Sequence, residues 1–250
     1  RSVSRGLGDV YKRQVSLCVG SELVLVSPVK VVQTLFTVIF DPDFLKTVWY
    51  SAARILGGFF TALTLGTVLG WVASRFWIVE TLLRPITAVI KATPVASFII
   101  LVLLWFSGKN LSVIISMLMV FPVIYMNVLE GVRSADEKLL EMAQVFRLSV
   151  GKKLLYIYLP AVAPFFVSAC SVSLGLCWKS GIAAEVIGTP DGSIGAVFYQ
   201  AKIFLQTSEL LAWTVVVVAV SVAFEKLFMF LLRLVLKKLK MEDVLNGKRA

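Results

Sequence analysis

Residues 154–178 read LLYIYLPAVAPFFVSACSVSLGLCW, a stretch of 25 residues without a charged side chain. A helix needs about 20 mostly apolar residues to cross a membrane, so this stretch predicts a spanning helix. Four further runs are of the same kind, and only the last is interrupted by charges, at Glu225 and Lys226. These runs cover residues 55–74, 92–108, 110–129 and 210–232.

The composition of the whole chain supports this prediction. Of its 250 residues, 58% are hydrophobic and 16% are charged, whereas soluble domains average about 25% charged residues. These values exclude an ordinary soluble domain. The apolar runs are continuous and do not alternate with polar residues, which favours helices over a β-barrel. The sequence therefore predicts an all-α, polytopic transmembrane helix bundle with five clear spanning helices.

The N-terminal part of the chain differs from the rest. Residues 1–14 are polar and basic and resemble read-through sequence at the ends of assembled contigs, so we expect them to be non-native. We expect residues 15–43 to hold a truncated first helix and an outer amphipathic segment. Residues 44–236 form the predicted transmembrane domain, with one long loop at residues 133–159, and residues 237–250 form a basic tail.

The positive charges are unevenly distributed between alternate loops. One predicted side carries 14 Lys and Arg residues and the other carries 4. The positive-inside rule places the richer side, with the C-terminal tail, in the cytoplasm of a multi-pass cell-membrane protein. This rule accounts for the net charge of +10 without a nucleic-acid partner.

Several kinds of site are missing from the sequence. There is no His, and Cys18, Cys170 and Cys177 show no metal-ligand spacing. These absences exclude His-based catalysis and the common zinc motifs. No G-x-x-x-x-G-K-[ST] motif for binding ATP phosphates is present. We therefore predict neither an enzyme, nor a metal site, nor a cofactor.

The loop at residues 133–159 is predicted to contain two short helices. Ser134 and Glu137 have the spacing of a capping box, which predicts a helix over residues 135–146 with one apolar stripe. A second helix is expected over residues 152–158, closed by Pro160. An amphipathic helix in such a loop either lies on lipid or docks into a groove on a partner. The pattern alone leaves both interpretations open.

Motifs in and around this loop resemble those of a known family. Glu141-Met142-Ala143, followed by Ile157-Tyr158-Leu159-Pro160, resembles the EAA motif of ABC-importer inner-membrane permeases of the binding-protein-dependent type. Further stretches resemble the nitrate/sulfonate/taurine-like branch of that family. They are PVA at 94–96, WFSGK at 105–109, FP at 121–122 and AAEVIG at 183–188.

The resemblance implies a type I importer permease fold and a subunit that works with other chains. Its partners would be a second permease copy, two copies of a cytoplasmic ATP-binding subunit and an extracytoplasmic solute-binding protein. The solute would be a small anion such as nitrate, sulfonate or taurine, or a thiamine-precursor-like compound. The family has Gly where this chain has Arg147, so we expect the turn to fall at Gly151. The implied ATPase-docking residues are Glu141, Met142, Ala143, Val145, Phe146, Arg147, Ser149 and Gly151.

Charged residues inside the apolar runs are candidates for the translocation path. Lys179 and Glu185 lie near the end of the run that begins at residue 154, and with Trp178 they are our path candidates. Six residues separate the two charges, about 240° around a helix, so they do not pair with each other. Arg54 is the predicted partner of Glu185. A structural role, or snorkelling to the membrane surface, is the competing interpretation.

A secondary transporter or channel that acts without an ATPase is the alternative function. It would need an ion-coupling site and often inverted repeats with paired broken helices. The sequence shows no such repeated pair, and the permease motifs count against this alternative.

Overall fold

The computed structural model describes residues 26–239. The predicted non-native segment, the first part of the truncated helix and the end of the basic tail therefore lie outside the described residues. The described residues form helices joined by short turns and contain no β-strand. The helices are α1 (Pro28–Ile39), α2 (Phe44–Arg75), α3 (Trp77–Ala92), α4 (Val95–Trp105), α5 (Gly108–Arg133), α6 (Glu137–Val145), α7 (Val150–Lys153), α8 (Leu159–Gly188), α9 (Ile194–Ile203) and α10 (Thr207–Lys238).

Four segments are long and apolar enough to cross a membrane: α2, α5, α10 and the continuous segment Val150–Gly188. Helices α3 and α4 make a fifth span only together, and they are bent by 110° at the break between them. The sequence predicts one spanning helix over residues 92–108, but α4 covers only part of that run. Pro94 is the reason, because the residue before a proline avoids helical backbone, and Thr93 is extended with ψ 133°.

Helices α2 and α5 run parallel and pack closely through small residues. Gly58, Gly66 and Gly70 are all buried on one side of α2. A Cβ atom added at Gly66 would lie 2.9 Å from Cβ of Ile124, and one added at Gly70 would lie 3.0 Å from Cβ of Val128. Small residues allow this close approach, which drives helix packing in membranes through van der Waals contact.

Helix α8 runs antiparallel to α2 and α5 and completes the core. The hydroxyl of Ser116 in α5 donates to the carbonyl of Cys177 in α8 at 3.2 Å. Large apolar side chains fill the space between the three helices. The most buried of them are Ile55, Phe59, Ile124, Leu174 and Trp178.

Helix α10 packs on the outside of this core. Its Phe228 ring lies 5.3 Å from that of Phe59 in α2, and its Glu225 carboxylate accepts a hydrogen bond from Ser171 in α8 at 3.0 Å. In the most apolar stretch of α10 only 6% of the residues are buried, whereas in that of α5 the share is 56%. Most of α10 therefore presents an apolar surface to lipid or to another chain.

The helix directions sort charged residues to two ends of the bundle. Helices α2, α5 and α10 end where the Val150–Gly188 segment begins. We call this the basic end, and the loop between α5 and α8 lies there. It carries Arg75, Arg133, Lys152, Lys153, Lys237 and Lys238. The opposite end carries Asp41, Asp43 and Asp191.

Candidate functional site

The loop between α5 and α8 is folded, and its first helix begins later than predicted. Helix α6 begins at Glu137, and its N-cap is Asp136, whose carboxylate accepts from the N–H of Lys138 at 2.8 Å. The predicted capping box is wrong, because Ser134 caps the end of α5 and donates to the carbonyl of Gly131 at 2.9 Å. Since α5 stays helical up to this serine, an aspartate two residues later takes the capping role.

Helix α6 ends in a Schellman motif. The N–H of Leu148 donates to the carbonyl of Ala143 at 2.9 Å, and that of Arg147 donates to Gln144 at 3.0 Å. Arg147 has φ +50°, a conformation that glycine adopts more easily. The predicted turn at Gly151 is therefore wrong, since Gly151 lies inside α7. The motif's hydrogen bonds offset the cost of about 1–2 kcal/mol for a left-handed L-residue.

The inner face of α6 packs on its own chain. Ala143 is fully buried against Ala135 and Ile157, and Leu140 and Leu148 cover this small cluster. The cluster fixes the loop to the first turns of the Val150–Gly188 segment. The side chain of Ala143, one of the eight predicted docking residues, is thus turned toward this chain.

The outer face of the loop leaves apolar side chains uncovered. Met142, Val145, Phe146 and Val150 are between 47% and 84% exposed, and we call them the loop surface. A cluster of this kind marks an interaction site more often than single exposed apolar residues do. Seven of the eight predicted docking residues are exposed: Glu141, Met142, Val145, Phe146, Arg147, Ser149 and Gly151.

The second predicted helix of the loop does not stop at Pro160. Helix α7 continues through a π-helical turn, Leu154–Tyr158, directly into α8, with Pro160 in its first turn. Proline is tolerated in the first turn of a helix, where its missing N–H leaves no hydrogen bond unmade. The loop surface is therefore joined to a spanning helix without a flexible link.

An ion pair fixes the other side of the loop. The guanidinium of Arg133, the last residue of α5, pairs with both carboxylate oxygens of Glu80 in α3, with Nη1 to Oε1 at 3.0 Å. The sequence does not predict this pair, because 53 positions separate the two residues. One sequence feature could have indicated a partner: Glu80 is an acidic residue in a segment whose other charged residues are Arg84 and Lys91.

The three predicted path residues are separated by the packing of α8. Trp178 is 2% exposed and belongs to the core, and Glu185 is 0% exposed. Both side chains point into the protomer. Lys179 is exposed on the other side of α8. It lies nine residues before the end of the helix at Gly188, or about 14 Å at 1.5 Å per residue.

The predicted Arg54–Glu185 pair is wrong for this conformation. The carboxylate of Glu185 accepts from the hydroxyl of Ser51 at 2.7 Å. The guanidinium carbon of Arg54 lies 4.2 Å from the centre of the Tyr50 ring, and no Arg54–Glu185 ion pair occurs among the described residues within 4.0 Å. Ser51, three residues nearer the start of α2 than Arg54, holds the position beside Glu185.

These side chains are suited to binding other molecules by apolar and charged contacts. Within residues 26–239, no three His, Cys, Asp or Glu residues are grouped so that they could hold a metal ion. The basic end offers an apolar surface with charged neighbours. The membrane part offers the exposed ammonium group of Lys179 and the buried carboxylate of Glu185.

Comparisons with known proteins agree with this arrangement. Residues 62–241 match the family model described as binding-protein-dependent transport system inner membrane component. The chain is 29% identical over 207 residues to a protein named as the aliphatic sulfonates transport permease SsuC of Bacillus subtilis (strain 168), covering 82% of this chain and 74% of that protein. It is 27% identical over 211 residues to the taurine transport system permease protein TauC of Escherichia coli (strain K12), covering 82% and 76%.

A solved structure has the same fold. One chain of a crystal structure of an amino acid ABC transporter with histidines aligns with a TM-score of 0.54 at 16% identity, covering 78% of this chain and 96% of that one. At this identity the likeness concerns the fold alone. The family match spans most of the chain, and the relatives are transport components. The chain therefore belongs to the ABC-importer inner-membrane permeases of the binding-protein-dependent type, in the nitrate/sulfonate/taurine branch, and is a transport subunit rather than an enzyme.

Proposed function

We propose that this chain forms the translocation path of an ATP-driven importer and is driven by an ATPase on a separate chain. The loop surface is the observation that carries this proposal. It is an uncovered apolar patch that continues rigidly into a spanning helix, so a partner that moves it also moves α8. The sequence has no P-loop motif, which supports placing ATP hydrolysis on another chain.

We place two ATP-binding subunits at the basic end, one on each permease copy. Met142, Val145 and Phe146 would fill a groove on the ATPase, as apolar side chains at three- and four-residue spacing do in helix-in-groove complexes. Glu141 and Arg147 supply charges at the edge of this contact. A lipid surface is the competing occupant of the same residues.

We place a second permease copy beside the face of α8 that carries Lys179. An ammonium group exposed to lipid near the middle of a span costs about 2.5–3.5 kcal/mol, so such residues usually face a path or another helix. A path between two copies would give Lys179 an aqueous or anionic neighbour. Trp178 and Glu185 would then pack inside the protomer and hold α8 in place beside the path.

We place the basic end, with the C-terminal tail, in the bacterial cytoplasm. This orientation follows the positive-inside rule and puts the loop surface on the side where ATP is available. The extracytoplasmic solute-binding protein would then deliver solute at the opposite end, near α9 and its flanking turns.

The proposed solute is a small anion such as nitrate, a sulfonate or taurine. The relatives' names specify sulfonates, taurine and bicarbonate for those proteins, and a cation at Lys179 would favour an anionic group here. A thiamine-precursor-like compound is the other candidate. Uptake of radiolabelled taurine, an alkane sulfonate, nitrate, bicarbonate and a pyrimidine precursor into proteoliposomes of the assembled complex distinguishes them.

Copurification tests the whole assignment. The permease is coexpressed with a candidate ATP-binding subunit and extracted in detergent, and the mass of the complex is measured by light scattering. We expect two permease and two ATPase chains, with ATP-dependent uptake after reconstitution. A monomeric permease in a transport-competent complex would refute the dimer. Uptake by the permease alone, driven by an ion gradient, would favour the alternative of a secondary transporter or channel.

A further inference from the structure

Glu185 joins three helices through one oxygen atom. Its Oε2 accepts from the hydroxyl of Ser51 in α2 at 2.7 Å. The same hydroxyl oxygen accepts from the N–H of Ile194, the first residue of α9, at 2.9 Å. Helices α2, α8 and α9 therefore meet at this carboxylate, which is 0% exposed.

The N–H groups in the first turn of α9 have hydrogen-bond partners at this junction. The N–H of Gly195 points at Glu185 Oε2, at 3.4 Å, and the N–H of Ala196 donates to the hydroxyl of Ser193 at 3.0 Å. With the Ser51 contact, three of the four N–H groups that a helix leaves free at its start have side-chain partners.

The packing at this junction leaves no room for a side chain on α9. A Cβ atom added at Gly195 would overlap Cβ and the carbonyl carbon of Glu185 and would lie 2.5 Å from the N atom of Val186. The start of α9 therefore rests directly on the backbone of α8. Glycine at this position permits the contact, and Glu185 supplies its hydrogen bond.

Helix α9 leads to an exposed apolar turn at the opposite end of the bundle. Ile203, Phe204 and Leu205 follow one another there, and all three are exposed. Leu205 has φ +54° and closes α9. Because α9 has only ten residues, the way its first turn is held contributes to where this apolar turn lies, together with the packing of Val197 and Phe198 around Trp213 of α10.

We propose that Glu185 is a positioning residue that holds the start of α9 on α2 and α8 as a hydrogen-bond acceptor, and so helps to set the position of the Ile203–Leu205 turn. The role needs an acceptor oxygen and no net charge. This proposal rests on the proposed transport function at one point only: that the Ile203–Leu205 turn lies at the mouth of the translocation path. The placement of α9 itself is independent of what the protein carries.

The test compares Glu185→Gln, Glu185→Leu and Ser51→Ala in the purified full-length permease by amide hydrogen exchange. Gln keeps an acceptor oxygen and removes the charge, whereas Leu removes both. We expect the amides of α9 to exchange at least about tenfold faster in Glu185→Leu and in Ser51→Ala. In Glu185→Gln they should stay near the wild-type rate. Exchange in α6 should not change, and Glu209→Leu in α10 is the matched control.

Transport by the assembled complex gives the second readout. Glu185→Leu should lower the uptake rate more than Glu185→Gln does. Wild-type exchange of α9 in both Glu185→Leu and Ser51→Ala overturns the proposal. Equal loss of uptake in Glu185→Gln and Glu185→Leu, with α9 protected in Glu185→Gln, also overturns it, because the charge would then matter. If Glu185→Leu does not insert, Ser51→Ala decides the exchange result, and the exchange result stands even if no solute is transported.

Discussion

The guanidinium of Arg133 and the carboxylate of Glu80 form a two-point ion pair that ties the end of α5 to the first turn of α3. Only three residues separate Arg133 from the start of α6 at Glu137. The pair therefore connects the bent α3–α4 unit to the base of the loop that carries the loop surface. A shift of the loop is passed to two parts of the bundle, to α8 through the π-helical turn and to α3 through this pair.

We predict that reversing either charge destabilises the permease and that reversing both restores it. In Glu80→Arg or Arg133→Glu, two like charges replace the two-point ion pair and repel each other. The coupling energy from a double-mutant cycle should be about 1 kcal/mol, because Arg-carboxylate pairs with two contacts exceed ordinary surface pairs. Thermal unfolding in detergent measures it.

The matched control for this cycle is the Asp43–Lys46 pair. Its atoms are 4.0 Å apart and its side chains are 80% and 84% exposed, whereas Glu80 and Arg133 are 23% and 47% exposed. We expect no measurable coupling there. Equal coupling energies in the two cycles would show that the Glu80–Arg133 pair contributes nothing particular to the structure.

The left-handed conformation of Arg147 predicts that Arg147→Gly stabilises the loop. Glycine adopts φ +50° without the Cβ contact that costs an L-residue about 1–2 kcal/mol. Part of the gain is lost to the greater freedom of glycine in the unfolded chain, so we expect about 1 kcal/mol. Hydrogen exchange of the α6 amides in the free permease measures it. Arg147→Val should accelerate that exchange, and equal rates in the two variants would contradict this account.

The sequence predicts the spanning segments well, because long apolar runs indicate them without tertiary information. The loop bounds 133–159 and the docking role of the motif from Glu141 to Pro160 stay predictions. The errors fall where one local signal competed with another. Ser134 has the residue type of an N-cap, but it caps the C-terminal end of α5. Gly151 is the residue type that favours a turn, but the left-handed turn lies at Arg147.

Contacts between distant residues were beyond the sequence analysis. Nothing local to Glu185 indicates that Ser51, 134 positions earlier, is its partner. The bend at Pro94 was foreseeable, since proline restricts the residue before it. The close packing of α2 on α5 was also foreseeable, because Gly66-x-x-x-Gly70 is a known packing motif of membrane helices.

That packing predicts that Gly66→Leu severely destabilises the bundle. Even a Cβ atom there would lie 2.9 Å from Cβ of Ile124, and leucine adds three more carbon atoms. Overpacking a tight contact costs typically about 1–3 kcal/mol, and we expect the upper part of that range. Gly57→Leu is the control, because nothing lies within 4 Å of a Cβ added at that position. Similar membrane levels and melting midpoints for the two variants would disprove the close contact.

We predict that Glu141→Lys weakens ATPase copurification and leaves the permease inserted. Reversing a charge at the edge of an interface replaces attraction with like-charge repulsion, which weakens association. Phe146→Ala should also weaken binding, since it removes the largest exposed ring of the loop surface. Phe204→Ala, at the opposite end, is the control. Cys placed at Val145 or Ser149 should crosslink to the ATPase. If both positions crosslink only to lipid, the loop lies on the membrane surface.

Lys179 gives the prediction for the membrane part. Lys179→Met removes the charge and keeps most of the side-chain length. If the exposed ammonium group faces the path of an anion, uptake should fall at least about tenfold, the effect of losing one favourable contact of about 1.4 kcal/mol. Membrane level and ATPase copurification should stay normal, because the side chain is not packed in the protomer core.

Lys226→Met separates this effect from the general loss of a membrane lysine. Lys226 is also exposed on a spanning helix, but it lies in the half of α10 nearer the basic end, where a long side chain reaches the membrane surface. Its replacement should leave uptake unchanged. Lys179→Arg should restore part of the uptake, since it returns a positive charge of similar reach. Normal uptake by Lys179→Met at normal protein level would remove Lys179 from the path. A lower protein level in Lys179→Met, with normal uptake per molecule, would instead assign it to the contact between helices or copies.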